Sequence, residues 1–247
     1  MQFKLYFTLP QPLTLPIAYQ KTLQGFLYRM LSFSPGYSAF LHDQGYTDEQ
    51  YAFKLFVFGQ IEGQHKVHLP YITFYDQIAF EVRSPMDAFC QVFWQGVMHA
   101  PSYELNHQEM DLLGCVSCRR QIGTDHVKLR MLSPLTVSTT YYTDEGRKKT
   151  YYYAPSDEVF EEALVSNYKR KWQSAYVDMA PPEIRVKPLH VTAQDKFVTR
   201  FGGKIYITGW NGIYLLEGDP LALTFLYDAG LGARGSQGFG LFERTED

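Results

Sequence analysis

Residues 230–240 read GLGARGSQGFG, and the first six satisfy the dinucleotide-binding spacing G-x-G-x-x-G. Taken at face value, they would make the chain a doubly wound α/β protein. That fingerprint has a mechanical requirement: its glycines must follow a strand and open a helix, whose N-terminus then holds the pyrophosphate. Here the order is reversed. DPLALTFLYDAG (219–230) has the character of a short helix and comes before the glycines, while GFGLFERTE (238–246) reads as a closing strand after them. A P-loop fails too, since no G-K-[ST] follows. What remains is Gly-Leu-Gly, five residues, then Gly-Phe-Gly, with Arg234 between the pairs. Glycines let backbone approach a ligand closely, successive N–H groups in such a turn can cradle phosphate oxygens, and an arginine adds a fork of donors.

Outward from that loop, the two halves of the chain carry related patterns. MQFKLYFTL alternates as a strand, and PIAYQKTLQGFLYRMLS puts Leu23, Phe26, Leu27, Met30 and Leu31 on one helical stripe. A short helix in SPGYSAFLHDQG stops at Gly45; FKLFVFGQI (53–61) and QIAFEVRS (77–84) read as strands. SPMDAFCQVFWQGVMHA is a helix with Phe89, Val92, Phe93 and Val97 on its apolar face, and YELNHQEMDLLGCVSC is extended. The order is that of a split βαβ unit.

The second half repeats it. VKLRMLSPLTVSTTYY and the basic hairpin DEGRKKTYYYA supply the opening strands. SDEVFEEALVSNYKRKWQSAY is a helix, with Ser156 expected as N-cap and Lys169–Lys171 late, where they suit the helix dipole. EIRVKPLHV, KFVTRFGGKIYITGW and NGIYLLEGD are strand-like. The expected fold is α+β, two tandem ferredoxin-like (RRM-like, βαββαβ) domains, 1–122 and 123–247.

Composition narrows the function. The 247 residues carry a net charge of −3, which argues against a protein that grips nucleic acid by bulk positive charge but leaves room for a basic groove. The 19 tyrosines and 18 phenylalanines suit β-rich packing and stacking on planar ligands. No stretch approaches the ~18 apolar residues of a membrane span, and MQFKLYFTLPQP has no signal-peptide pattern. Three cysteines suggest a reducing cytoplasm. Cys115 and Cys118 lie three apart in a strand, on opposite sides, so they form no chelating pair on their own. The stacking signature of RRM proteins is absent from the sequence.

G-hydrophobic-G-x5-G-hydrophobic-G after two such units resembles the repeat-associated RNA-binding (RAMP) superfamily of CRISPR systems. Within it, the chain resembles the endoribonucleases that cut precursor CRISPR RNA inside each repeat, because LQGFLYRML (23–31), FLHDQGY (40–46) and KLFVFG (54–59) recur in that order in them. The resemblance implies metal-independent cleavage without a cofactor, in which the 2′-OH attacks the adjacent phosphate to leave a 2′,3′-cyclic phosphate and a 5′-OH. It implies CRISPR repeat RNA as partner and an effector complex as recipient of the product, and leaves monomer and homodimer both open.

Such chemistry needs a group assisting the 2′-OH, an acid for the leaving oxygen and positive charge for the phosphorane. The matching positions are Tyr28, His42 and Lys54. His42 has the side chain whose unperturbed pKa, ~6.5, best serves proton transfer near neutrality, and it is read as the general acid. Tyr28 falls roughly 130° from the centre of its helix's apolar stripe, so it is not simply core; it assists or orients the ribose. Lys54, read as sharing a strand face with Phe56 and Phe58, stabilises charge. RNA contacts are expected from Gly230, Gly232, Arg234, Gly235, Gly238 and Gly240, and from Arg147, Lys148 and Lys149 of the basic hairpin. The competing readings are a non-catalytic RNA-binding subunit of an effector complex and a small-molecule-binding protein of the same fold. His42 separates them, since a purely structural subunit would not need it.

Overall fold

A computed structural model describes residues 1–48, 50–203 and 205–245. The extended readings of the stretches holding Lys204 and Glu246 stop short of those two residues, which lie outside the described ones. The protein is a mixed α+β structure built on antiparallel sheets.

The N-terminal half runs β1 (Gln2–Thr8), β2 (Leu13–Pro16), α1 (Gln20–Leu31), α2 (Pro35–Ala39) and a π-helical turn (Phe40–Gln44). It continues with β3 (Tyr46–Thr47), β4 (Ala52–Phe53), β5 (Val57–Phe58), β6 (Glu62–His68), β7 (Tyr71–Arg83), α3 (Asp87–His99), β8 (Tyr103–Leu105) and β9 (Gln108–Cys118). Strand β1 lies between β7 and β9, and β6 pairs with the far side of β7, giving the order β6-β7-β1-β9. Alternation in β1 sends Phe3, Leu5 and Phe7 into the core. There they meet the α1 stripe and the α3 face, with Phe56, Phe89 and Phe93 stacked in series at 4.9 and 5.5 Å. This stacking is where the phenylalanine load goes; each such ring buried is worth roughly 1.5–3 kcal/mol.

The C-terminal half runs β10 (His126–Met131), β11 (Ser138–Tyr142), β12 (Lys148–Tyr152), α4 (Phe160–Ala175), β13 (Ile184–His190), β14 (Lys196–Phe201) and β15 (Ile205–Trp210). It ends with β16 (Ile213–Gly218), α5 (Pro220–Ala229) and β17 (Phe242–Arg244). Its sheet has the order β13-β16-β10-β17, with α4 and α5 after the first and third of its core strands in chain order. That repeats the strand order and helix placement of the other half. β11 with β12 and β14 with β15 are separate two-stranded hairpins.

Three local expectations are corrected. FKLFVFGQI is not one strand: Leu55 takes φ 49°, and only Ala52–Phe53 and Val57–Phe58 are extended. The kink sends Leu55 into the C-terminal core while Phe56 and Phe58 enter the N-terminal one, so Lys54 shares no strand face with them. Ser156 does not cap α4, which starts at Phe160; instead Asp157 Oδ2 accepts from the Ala154 N–H and the Tyr151 hydroxyl. KFVTRFGGKIYITGW is a hairpin rather than a single strand.

The halves join where the sheet of the first meets α5 of the second. Arg83, 1% exposed, pairs with Glu81, donates from Nη1 to the carbonyls of Tyr227 (3.1 Å) and Phe242 (2.8 Å), and lies 3.7 Å over the Tyr227 ring. A guanidinium removed from water needs partners for its donors, and here Nε and Nη1 find them. Among the described residues no helix is long and apolar enough to cross a membrane.

Candidate active site

Tyr28 sits two turns into α1, with its ring half-buried against the N-terminal core and 6.1 Å edge-on to Phe56. Burial pushes its phenol above the ordinary tyrosine range. At neutral pH it is therefore a hydrogen-bond donor and not a base. His42 comes from the π-helical turn, a widened turn that puts it on the surface, and its ring stands 5.9 Å from Tyr28, nearly perpendicular. Its Nδ1 is 2.7 Å from Asp43 Oδ1. With Nδ1–H donated to that carboxylate, Nε2 is the nitrogen left to exchange a proton with a ligand.

Lys54 arrives from the far side of Gly45, where the chain reverses. Gly45 has φ 73°, and a Cβ there would meet the Phe53 carbonyl at 2.6 Å and the Lys54 Cδ at 3.2 Å. The bare glycine thus lets the lysine stem pass, and Nζ donates to the His42 carbonyl at 2.8 Å. Partial burial lowers the ammonium's pKa, with the Asp43 charge opposing the shift. The structure brings Tyr28, His42 and Lys54, separated by up to 26 positions, into one cluster.

Lys54 also lines a groove of about 1010 Å³ between the halves. Its other walls are the β11–β12 hairpin, the outer stripe of α4 and the surface turn of the glycine loop. Lys148, Arg170 and Arg234 reach it, and Glu162 is its acidic residue. Of the expected RNA contacts, Lys148, Arg234 and Gly235 line the groove. Arg147 turns to Glu145 at 3.3 Å, and Lys149 alternates away from Lys148 along β12.

The glycine loop corrects its own reading. Gly230, Gly232, Gly238 and Gly240 are buried against the protein, and the N–H groups of Gly230, Gly238 and Gly240 donate to the carbonyls of Leu226, Gly235 and Pro134. Those N–H groups form no open phosphate cradle. The outward part of the loop is Ala233, Arg234, Ser236 and Gln237 around a buried Gly235, and Arg234 is itself left-handed (φ 62°) and donates to Gln237 Oε1. Gln24 of α1 donates to the Ser236 carbonyl, tying the loop to the helix that carries Tyr28.

α4 contributes more to the groove than its run of basic residues implies. The run Lys169–Lys171 reads as one solvated cluster, yet its members part ways. Lys169 pairs with Glu183 at 3.2 Å, Arg170 stacks on Tyr51 and Lys171 is buried. Lys171 Nζ donates to the Gly230 carbonyl at 2.9 Å, and burial lowers its pKa to about 7. Asn167 lines the groove with a buried Oδ1 that has no partner among the described residues. The i, i+4 spacing of Ala163, Asn167 and Lys171 beside Ser166 and Arg170 was the available signal.

Residues 118–244 match the family described as CRISPR associated protein Cas6, C-terminal. The chain belongs to the Cas6 family. It is 24% identical over 230 residues to the CRISPR-associated endoribonuclease Cas6 of Pyrococcus furiosus, covering 92% of this chain and 82% of that one. It is 24% identical over 236 residues to CRISPR-associated endoribonuclease Cas6 1 of Methanocaldococcus jannaschii, covering 94% and 88%. Among solved structures, one described as CRISPR associated protein Cas6 superposes with a TM-score of 0.78 at 22% identity, over 100% of this Cas6-family chain and 99% of its own. Another, described as a RAMP protein binding different RNA substrates, gives 0.82 at 16% identity over 100% of both. At these identities the superpositions speak to fold.

Proposed function

We propose that this chain is a metal-independent, sequence-specific endoribonuclease that cuts precursor CRISPR RNA within its repeats to make guide RNAs. The observation that carries the reading is the meeting of Tyr28, His42 and Lys54, the last of which also lines the groove reached by Lys148, Arg170 and Arg234. Family membership and the relatives' description as endoribonucleases support it. Each half is read as one ferredoxin-like domain, with the boundary near residue 122; the shared strand order supports this.

In this reading the repeat RNA lies in the groove with its scissile phosphate beside His42. The 2′-oxygen forms a bond to phosphorus and loses its proton to water, and the phosphorus–5′-oxygen bond breaks. Protonated His42 gives its Nε2 proton to the departing oxygen, yielding a 5′-OH and a 2′,3′-cyclic phosphate. Tyr28, kept protonated by burial, orients the ribose by hydrogen bonding. The Lys54 ammonium faces the charge that builds on the phosphorane. No step uses a cofactor. The three cysteines, all free, fit a cytoplasmic protein, and an effector complex is the expected recipient of the product.

Incubating end-labelled repeat RNA with the protein in EDTA tests this. Wild type should cut and leave a cyclic phosphate, His42→Ala should bind without cutting, and a 2′-deoxy residue at the scissile position should block cutting but not binding. Binding without any cutting by wild type would instead mark an RNA-binding subunit. Loss of activity in EDTA would refute the metal-free route.

A further inference from the structure

The cluster is not carried by one half alone. Tyr28 and His42 are fixed to the N-terminal frame through α1 and the π-helical turn, but Lys54 rides on a strap, described over residues 45–48 and 50–56, that leans on the other half. Strands β3 and β4 form a small hairpin within the strap, closed by Asp48 Oδ1, which accepts from the Gln50 and Tyr51 N–H groups. That hairpin packs against α4; Phe53 sits on the C-terminal core, and Tyr46 touches the cores of both halves. Leu55, one residue past Lys54, is 4% exposed inside that core. Tyr51, three residues before Lys54, lies with its ring 4.4 Å from the Arg170 guanidinium. Lys54 is therefore held on both shoulders by the C-terminal half, while its Nζ is tethered to His42 of the other.

Arg170 occupies both sides of this arrangement, since it clamps the strap through Tyr51 and also faces the groove. We propose that Arg170 is a positioning residue for the cut: stacked on Tyr51, it sets where the strap presents Lys54, so that RNA lying in the groove completes the cluster at the scissile phosphate. This rests on the endoribonuclease reading above. A planar guanidinium can stack on a ring while its edge donates to a phosphate, which lysine cannot do, so the site distinguishes the two cations.

The test is single-turnover cleavage of labelled repeat RNA at saturating protein, with Arg170→Ala, Arg170→Lys, Tyr51→Ala, Tyr51→Phe and Lys54→Ala. Removing the clamp from either side should slow the cutting step about 10-fold, the usual scale of a modest coupling energy. Arg170→Lys should share the loss, and Tyr51→Phe, which keeps the ring, should restore the rate. On a Lys54→Ala background, Arg170→Ala should add nothing, because it acts through Lys54. Unchanged rates at saturation, or effects that multiply on the Lys54→Ala background, would overturn the proposal. Hydrogen exchange across residues 45–56 separates its failure from that of the function. Arg170→Ala should release strap protection whether or not the protein cuts RNA, and unchanged exchange would by itself overturn the clamp. Wild type that cuts no repeat RNA while the strap loosens in Arg170→Ala would overturn the cleavage role and leave the function at fault.

Discussion

The glycine loop 230–240 and the strap 45–56 both depend on left-handed backbone, and they spend it in opposite ways. In the loop, positive φ at Gly230, Gly232, Gly238 and Gly240 folds the chain back into the protein; a Cβ at Gly240 would stand 2.0 Å from the Leu231 carbonyl. In the strap, positive φ at Gly45 and Leu55 throws one side chain, Lys54, outward beside His42. Density of glycine therefore does not mark the candidate cluster. In the loop it marks close packing, and the groove-lining arginines, Arg234 and Arg170, stand on a turn and a helix.

The sharpest way to break this contrast is His42→Ala. It should slow single-turnover cleavage by about 10²–10⁴, the usual worth of a general acid, with RNA affinity unchanged. Equal loss from Arg234→Ala would erase the division between holding and cutting. Next in size is the packing role of the loop. Gly240→Ala should cost about 2–4 kcal/mol in chemical denaturation, since it joins a disallowed φ to a backbone clash. Gly25→Ala on the exposed side of α1, where a Cβ meets nothing within 4 Å, should gain about 1 kcal/mol. A tolerated Gly240→Ala would mean the loop is freer than its burial shows.

Lys171, which seats the loop from beneath, gives a subtler handle. Burial lowers its pKa from 10.5 to about 7, so between those values the unfolded chain binds the extra proton. Stability contributed by this site should therefore rise as pH increases from about 7 toward 10. Measured against Lys171→Met, wild type should gain on going from pH 7 to pH 9; a flat or falling difference would place the ammonium in a better-solvated site. The smallest effect is electrostatic. With Lys54, Lys148, Arg170 and Arg234 on phosphates, log K against log salt should have a slope of about −3, and Arg234→Ala should lessen it by about 0.7. A much steeper slope would spread the binding surface beyond the groove.

Where side-chain periodicity governs an element, the sequence was readable. Leu23, Phe26, Leu27, Met30 and Leu31 form the buried stripe of α1 as their spacing implied, and Tyr28 lies partly outside it. Rejecting the dinucleotide motif needed only the order of helix and strand, and α5 and β17 flank the loop in that order. What stayed hidden was decided by partners far away in the chain. EGQHKVH has no apolar alternation to announce β6, because that strand is exposed along its length and is held by its ladder to β7. Leu55 belongs to the core of the other half, a contact no local pattern encodes. In the run at 169–171, three neighbouring cations meet three environments because successive helical residues point about 100° apart. Of the candidate cluster, residue types and order were legible; the strap that delivers Lys54 was not.

Arg83 closes the contact between the halves by donating to two main-chain carbonyls, at positions 227 and 242. A carbonyl is present whatever residue occupies a position, so the two hydrogen bonds place no demand on side chains; what the clamp asks of them is the Tyr227 ring beneath the guanidinium, with Phe242 edge-on to it at 5.8 Å. The join can hold while the residues around it drift, provided the main chain keeps its path. Engineers wishing to graft a different C-terminal half onto this N-terminal one should copy the course of the backbone there before its lettering.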